Sequence, residues 1–296
     1  MDHDAILVTG TSTGIGRALA LLLARQGFTV FAGVRTDAHA AVLANEHPAI
    51  RPILLDVAVP DDCARAAETL RAAGHPLRGL VCNAGIAIAG PIEFLPRERW
   101  REQFEVNLFG ALDLARACIP LVRAARGRIV FVGSIAGRLA PPLLAPYAAS
   151  KAALEAATDA LRVELAASGI GVTLIVPGAV RTPIWQKGRD RADALAAAIS
   201  GDGIDQYAAL IAAARRASAH AERHGIAPDD VAHAVLRALT ARRAPAHVLV
   251  GKEARMQDLV RRFLPARWRD ALLRRALGIP AEEARAFSLA RSESRE

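Results

Sequence analysis

The sequence predicts a doubly wound α/β fold: a parallel seven-stranded sheet with helices on both faces, in three α/β/α layers, and a helical extension after the last strand. Three observations carry this. Short apolar runs recur near 5–9, 28–34, 51–55, 79–82, 128–133, 171–176 and 246–250, with helical stretches between them, long ones over 97–122 and 148–167. The first run passes through a glycine-rich turn into a helix. No apolar run approaches the roughly twenty residues of a membrane span.

The first run, Ala-Ile-Leu-Val over 5–8, is apolar throughout, as a strand covered on both faces must be. It enters T-G-T-S-T-G-I-G, Thr9 to Gly16. An alanine- and leucine-rich helix follows over 17–26, and Gly27 ends it. Strand, glycine turn and helix in that order aim backbone N–H groups at a helix N-terminus, where they bind phosphate. Gly10 permits the tight turn, while Gly14 and Gly16 permit close approach of a cofactor and the neighbouring strand. The spacing is G-x-x-x-G-x-G, not the commoner G-x-G-x-x-G. A purely structural turn is the alternative, but the place after a first strand favours nucleotide binding.

Tyr147 and Lys151 stand four residues apart in Y-A-A-S-K, with Ser134 thirteen residues upstream. Four residues is about one helical turn, so phenol and ammonium share a face. A free tyrosine titrates near 10 and is a poor acid or base at neutral pH. A nearby ammonium favours phenolate and brings proton exchange closer to physiological pH. A serine hydroxyl aimed at the same point would hold a carbonyl or alcohol oxygen. A surface tyrosine that merely precedes a lysine is the alternative.

These motifs together resemble the short-chain dehydrogenase/reductase family, of the Y-x-x-x-K type, over roughly residues 4–250. Thr9 to Gly16 match its glycine loop. Asn83-Ala84-Gly85 match its N-A-G motif, after the apolar run 79–82. Asn107 in E-V-N-L-F-G, Ser134, Tyr147 and Lys151 match its catalytic tetrad. Pro177-Gly178 match its P-G motif, with Thr182 four residues on. The resemblance implies a Rossmann-type domain over 1–251. It implies Tyr147 as general acid or base, with Lys151 lowering its pKa and holding the nicotinamide ribose. Ser134 would orient the substrate oxygen, and Asn107 would hold a water in a proton relay. The implied cofactor-binding set is Gly10, Thr11, Ser12, Gly14, Ile15, Arg35, Asp56, Val57, Asn83, Ala84, Gly85, Tyr147, Lys151, Pro177, Gly178, Val180 and Thr182. Hydride transfer would be the cofactor's chemistry. The helices carrying Asn107 and Tyr147 would form a homodimer or homotetramer.

An acidic residue about twenty positions after the loop would hold an adenosine ribose and favour NAD. Val34 stands there, and Arg35 follows. A guanidinium forms paired bonds to phosphate oxygens, so NADP(H) is expected over NAD(H). Asp56 would meet the adenine or cap a turn.

The connection from Ser134 to Tyr147 is nearly all apolar. Leu139, Leu143 and Leu144, with Ile86 and Trp185, would line a lipophilic substrate pocket or simply pack. Residues 183–224 form a long insertion where the resemblance implies a substrate lid, with a flexible stretch at 200–203 and a basic helix over 206–223. His220 and His224 lack a third ligand, so no metal is expected. Residues 252–277 hold eight basic and three acidic residues, a net +5 against +8 for the chain. Met256, Leu259, Val260, Phe263 and Leu264 make an apolar stripe, and Pro265 breaks the helix. Such a segment packs on its own domain or a sister subunit, the reading preferred here, or lies on an anionic membrane. The arrangement resembles steroid- and retinol-dehydrogenase-like members, which implies a steroid-, retinoid- or similar apolar alcohol, ketone or aldehyde. The tail 280–296 is polar and expected to fray.

Three unpaired-looking cysteines and no visible signal peptide point to a cytoplasmic protein, with peripheral membrane contact through 252–277 as the variant. The basic pI near 10.3 comes with no nucleic-acid module. A nucleotide-binding redox sensor or scaffold without turnover is the second function class. It would need the glycine loop and Arg35 but not Tyr147.

Overall fold

The computed structural model describes residues 4–198 and 202–278, without the side chains of 195–198, 202, 203 and 205. The stretch 200–203 therefore falls partly, and the tail 280–296 wholly, outside the described residues.

Strands and helices alternate: β1 (Ala5–Thr9), α1 (Gly14–Arg25), β2 (Thr29–Val34), α2 (Asp37–Ala44), β3 (Ile50–Leu54), α3 (Pro60–Ala73) and β4 (Leu77–Cys82). Then come α4 (Arg97–Phe104), α5 (Gly110–Ala124), β5 (Arg128–Val132), α6 (Ala145–Glu164) and β6 (Gly171–Pro177). The remainder is α7 (Ile184–Ala198), α8 (Ala208–His224), α9 (Pro228–Thr240), β7 (His247–Val250), α10 (Lys252–Phe263) and α11 (Ala266–Leu277). All seven expected strands are present. They form one sheet in the order β3-β2-β1-β4-β5-β6-β7, and every pair is parallel. The winding reverses between β1 and β4, and the carboxyl ends of these strands open a crevice there.

Alternate side chains of each strand enter opposite cores. Ala5 and Leu7 join the layer under α3, α5 and α6, while Ile6 and Val8 join the layer under α1 and α9. Both faces are covered, which is why the runs read as continuously apolar. Pro52 lies in β3 at the sheet edge, where a missing ladder donor is tolerated. Cys63, Cys82 and Cys118 are free and buried. Burial pushes their thiols up, Cys63 to about 11 and Cys118 to about 12.

Two helix boundaries differ from expectation. The helix predicted over 97–122 is interrupted by a π-helical turn, Glu105–Phe109, between α4 and α5. That turn sets Asn107 inward at 1% exposure. The helix predicted over 148–167 starts earlier, at Ala145, because Pro146 suits a first helical turn. The expected break at Pro265 separates α10 from α11.

Gly110 opens α5 where it crosses the backbone after β3. A Cβ there would stand 2.3 Å from the Val57 carbonyl oxygen. Gly110→Ala should therefore lower unfolding free energy by about 1–3 kcal/mol, through overpacking. The check is urea denaturation, where the midpoint should fall with an unchanged slope.

Candidate active site

The glycine turn sits where β1 ends. Gly10 and Gly14 have φ of +68° and +57°, which an L side chain rarely adopts. Gly16 has no room at all: its Cβ would meet the Gly10 carbonyl oxygen at 2.2 Å. Thr9 and Asn83 then stitch the diverging ends of β1 and β4. Thr9 Oγ1 accepts from the N–H groups of Asn83 and Ala84 at 3.0 and 2.9 Å. Asn83 Nδ2 donates to the carbonyls of Thr9 and Gly10 at 2.9 and 3.3 Å.

One cavity of about 760 Å³ runs from this turn to α7 and α8. Its walls include Gly10, Ser12, Gly14, Ile15, Arg35, Asp56, Val57, Asn83, Ala84, Gly85, Ser134, Tyr147, Lys151, Pro177, Gly178, Val180 and Thr182. Leu139, Leu143, Leu144, Ile86 and Trp185 line the same space. Trp185 is fixed by its indole N–H, which donates to the Val180 carbonyl at 2.7 Å. Leu143 has φ +65° and its carbonyl accepts from Gly90 N–H at 2.8 Å, so a strained residue is held at the cavity wall.

Thr11 and Asn107 stand behind the cavity wall. Neither lines the cavity. Thr11 is fully buried, and its hydroxyl donates to the Gly33 carbonyl at 3.0 Å, satisfying the end of β2. Asn107 Oδ1 accepts from Ile86 N–H at 2.9 Å, and its amide donates to the Ile86 carbonyl and Ser150 Oγ, both at 3.1 Å. It packs behind Gly85, where a Cβ would stand 3.3 Å from its Oδ1. Asp56 Oδ1 accepts from Ala58 N–H at 3.0 Å, the turn-capping alternative, while the residue still borders the cavity.

Sequence reasoning missed several contributors. Thr13, Thr36 and His39 also border the cavity, Thr36 bonding His39 Nδ1 at 2.8 Å. Gln103, fully buried, pairs with Ile88 N–H and the Ile86 carbonyl, each at 2.8 Å. An alignment of homologues could have flagged these; their residue types in one sequence could not.

Lys151 is 5% exposed and donates through Nζ to the Val132 carbonyl at 2.8 Å. Burial favours the neutral amine and brings it down to about 8. Its ammonium lies 6.0 Å from the centre of the Tyr147 ring. The expected lowering of Tyr147 is not what the structure gives. Desolvation raises the phenol above its usual 10, and the hydrogen bond with Ser134 offsets this only in part.

A buried charge cluster supports this wall from behind. Arg138, four residues after Ser134, is 4% exposed at its side chain. It pairs with Asp258 of α10 and Glu155 of α6, each at 2.8 Å. It also donates to His247 Nδ1 at 2.7 Å, which assigns the Nε2–H tautomer bonded to Asp159. Burial works against the Arg138 charge, and the two carboxylates outweigh it.

The segment expected to be a lid is a helical hairpin, α7 and α8, with a 3₁₀ turn at Asp202–Tyr207. Arg189 ties its two helices through Ser218 and Glu222. Tyr207 bonds Glu93 at 2.8 Å and packs edge-on against Phe94. His220 and His224 stack on each other with ring centres 4.6 Å apart. Among the described residues no group of three potential ligands converges on a metal.

Residues 4–193 match the family model for short chain dehydrogenases. The chain belongs to the short-chain dehydrogenase family of oxidoreductases. The uncharacterized oxidoreductase YbbO of Escherichia coli K12 is 41% identical over 61% of this chain and 67% of its own length. The NADPH-dependent 3-dehydrocapnine reductase of Ornithobacterium rhinotracheale is 31% identical over 90% of this chain and 94% of its own. The crystal structure of a short chain dehydrogenase/reductase from Burkholderia phymatum in complex with NAD superposes with a TM-score of 0.76 at 26% identity, covering 88% of this chain and 93% of that one.

Two outcomes follow from the buried charges. Asp258→Ala leaves Arg138 short of a partner and should cost about 3 kcal/mol in urea unfolding. Lys151 titrates near 8 folded and near 10.5 unfolded. Between those values the unfolded chain holds more protons, so stability should rise with pH across that window. Lys151→Met should lack that rise when unfolding is compared at about pH 7.5 and 9.5.

Proposed function

We propose that this chain is an NADP(H)-dependent oxidoreductase acting on a lipophilic secondary alcohol, ketone or aldehyde. The observation that carries this is the convergence of Ser134, Tyr147 and Lys151 on the cavity that the glycine turn also borders. The cradle fits a dinucleotide. A Cβ at Gly10 would reach Ala84 at 2.9 Å, and one at Gly14 would reach Thr182 at 3.0 Å, so bare backbone is what this space accepts. Ser12 and Thr13, at the N-terminus of α1, suit a pyrophosphate. When bound, the cofactor supplies or takes the hydride.

The chain's own residues manage the oxygen. Tyr147, its phenol kept protonated by burial, donates a proton to the carbonyl oxygen in reduction. Ser134 orients that oxygen. Lys151 stays against the Val132 carbonyl, where its charge favours phenolate once the proton has left. The apolar wall of Ile86, Leu139, Leu143, Leu144 and Trp185 supports a lipophilic substrate.

Arg35 supports NADP(H). It is exposed, borders the cavity beside Thr36 and His39, and follows Val34, which offers a ribose no hydrogen bond. The relative that spans 90% of the chain is itself NADPH-dependent.

Purified protein is tested for NADPH and NADH oxidation against a panel of apolar ketones and aldehydes. Tyr147→Phe should lower turnover by about 100-fold or more while sparing cofactor binding. Robust residual turnover would reject the mechanism. Arg35→Ala should raise the KM for NADPH roughly ten-fold and leave that for NADH unchanged. Cofactor binding without turnover in either direction would transfer support to nucleotide sensing.

A further inference from the structure

Helix α10 presents apolar residues on the side that faces away from its own domain. It docks through Ala254 and Asp258, 0% and 3% exposed. Met256, Leu259 and Phe263 follow one another at i, i+3 and i+7, a single stripe on the opposite side. They are 59%, 55% and 75% exposed. In α11, Leu273 and Leu277 are half-buried, while Trp268 and Leu272 are 59% and 45% exposed. An ordinary packed helix would bury such residues and turn its charges outward. Here the buried residues are an alanine and an aspartate, and the outward ones include phenylalanine and tryptophan.

Charge decides what fits this face. The segment 252–277 carries a net +5. One of its three acids, Asp258, is already paired with Arg138 and Arg262. Arg255, Arg261, Arg267, Arg274 and Arg275 are exposed, and among the described residues they have no ion-pair partner. A second copy meeting this face about a two-fold axis would set one +5 segment against another. An anionic bilayer presents phosphates to the arginines and hydrocarbon to the stripe. No helix among the described residues is long and apolar enough to cross a membrane, so the fit is to its surface.

We propose that the outward face of α10 and α11 docks on an anionic phospholipid bilayer. Met256, Leu259, Phe263, Trp268 and Leu272 enter the headgroup boundary, and the arginines engage phosphates. Leu277 also borders the catalytic cavity, so docking sets the cavity beside the lipid. This surface does not depend on the substrate class proposed above.

The test is co-sedimentation of the full chain with vesicles of phosphatidylcholine alone or with about one third phosphatidylglycerol, at low and high salt. Strong partitioning into the anionic vesicles, weakened by salt, is expected. The pair Leu259→Glu and Phe263→Glu should weaken it more than about ten-fold. Arg255→Gln, Arg267→Gln and Arg274→Gln should weaken it about five-fold per charge. Circular dichroism and light scattering accompany each variant. If the glutamate pair fails to fold, the arginine series, which touches no packed face, decides. The proposal is overturned if the wild type stays in the supernatant, or if neither set of variants reduces partitioning. It is equally overturned if the glutamate pair instead dissociates a multimer, since the face would then join two copies of the chain.

Discussion

The site depends first on the place where β1 and β4 part. Two parallel strands that separate leave N–H and carbonyl groups without ladder partners, and burying them unpaired costs free energy. Thr9 and Asn83 resolve this by exchanging side-chain bonds for the missing backbone ones. The crevice floor is thereby fixed without filling it. Everything that faces the crevice inherits that position: the Gly10 turn above, the 83–88 segment beside it, and behind that segment Asn107 and Gln103, which hold Ile86 and Ile88.

Two buried cations flank the Ser134 connection, and their partners differ in kind. Lys151 rests on a neutral carbonyl, which satisfies a donor without securing its charge. Its proton can therefore leave near the physiological range. Arg138 is enclosed by carboxylates, and its charge is permanent. One cation suits chemistry and the other suits support. The sequence distinguished them only in part, because lysine in Y-x-x-x-K belongs to a motif, whereas Arg138 looks like any loop arginine until Asp258 is brought beside it.

The fold was legible because a sheet covered on both faces needs apolar strands, and those runs stand out from the alanine-rich helices between them. All seven strands could be placed, and so could many residues of the cavity wall, though not Thr13, Thr36 or His39, since glycine turns and the Tyr147–Lys151 pair obey local spacing. What local spacing cannot reveal is where a side chain points. Thr11 sits amid cavity residues in the chain yet turns back to Gly33, and Asn107 is swung inward by a π turn that no periodicity announces. The burial of the Tyr147 phenol was illegible for a related reason. A neighbouring ammonium can be read from sequence, but the desolvation that raises the phenol is a property of the assembled cavity.

The Arg138–Asp258 bond joins residues 120 apart in the chain. During synthesis at about 5–20 residues per second, Asp258 follows Arg138 by roughly 6–24 s. Late in that interval the glycine turn, the sheet's central strands, Tyr147 and Glu155 have all been made, but the turn after Ser134 still lacks one of its two acidic partners. Completion of the catalytic wall is therefore a late event in the life of the nascent chain, timed by the emergence of α10 and not by the closing of the sheet around β1.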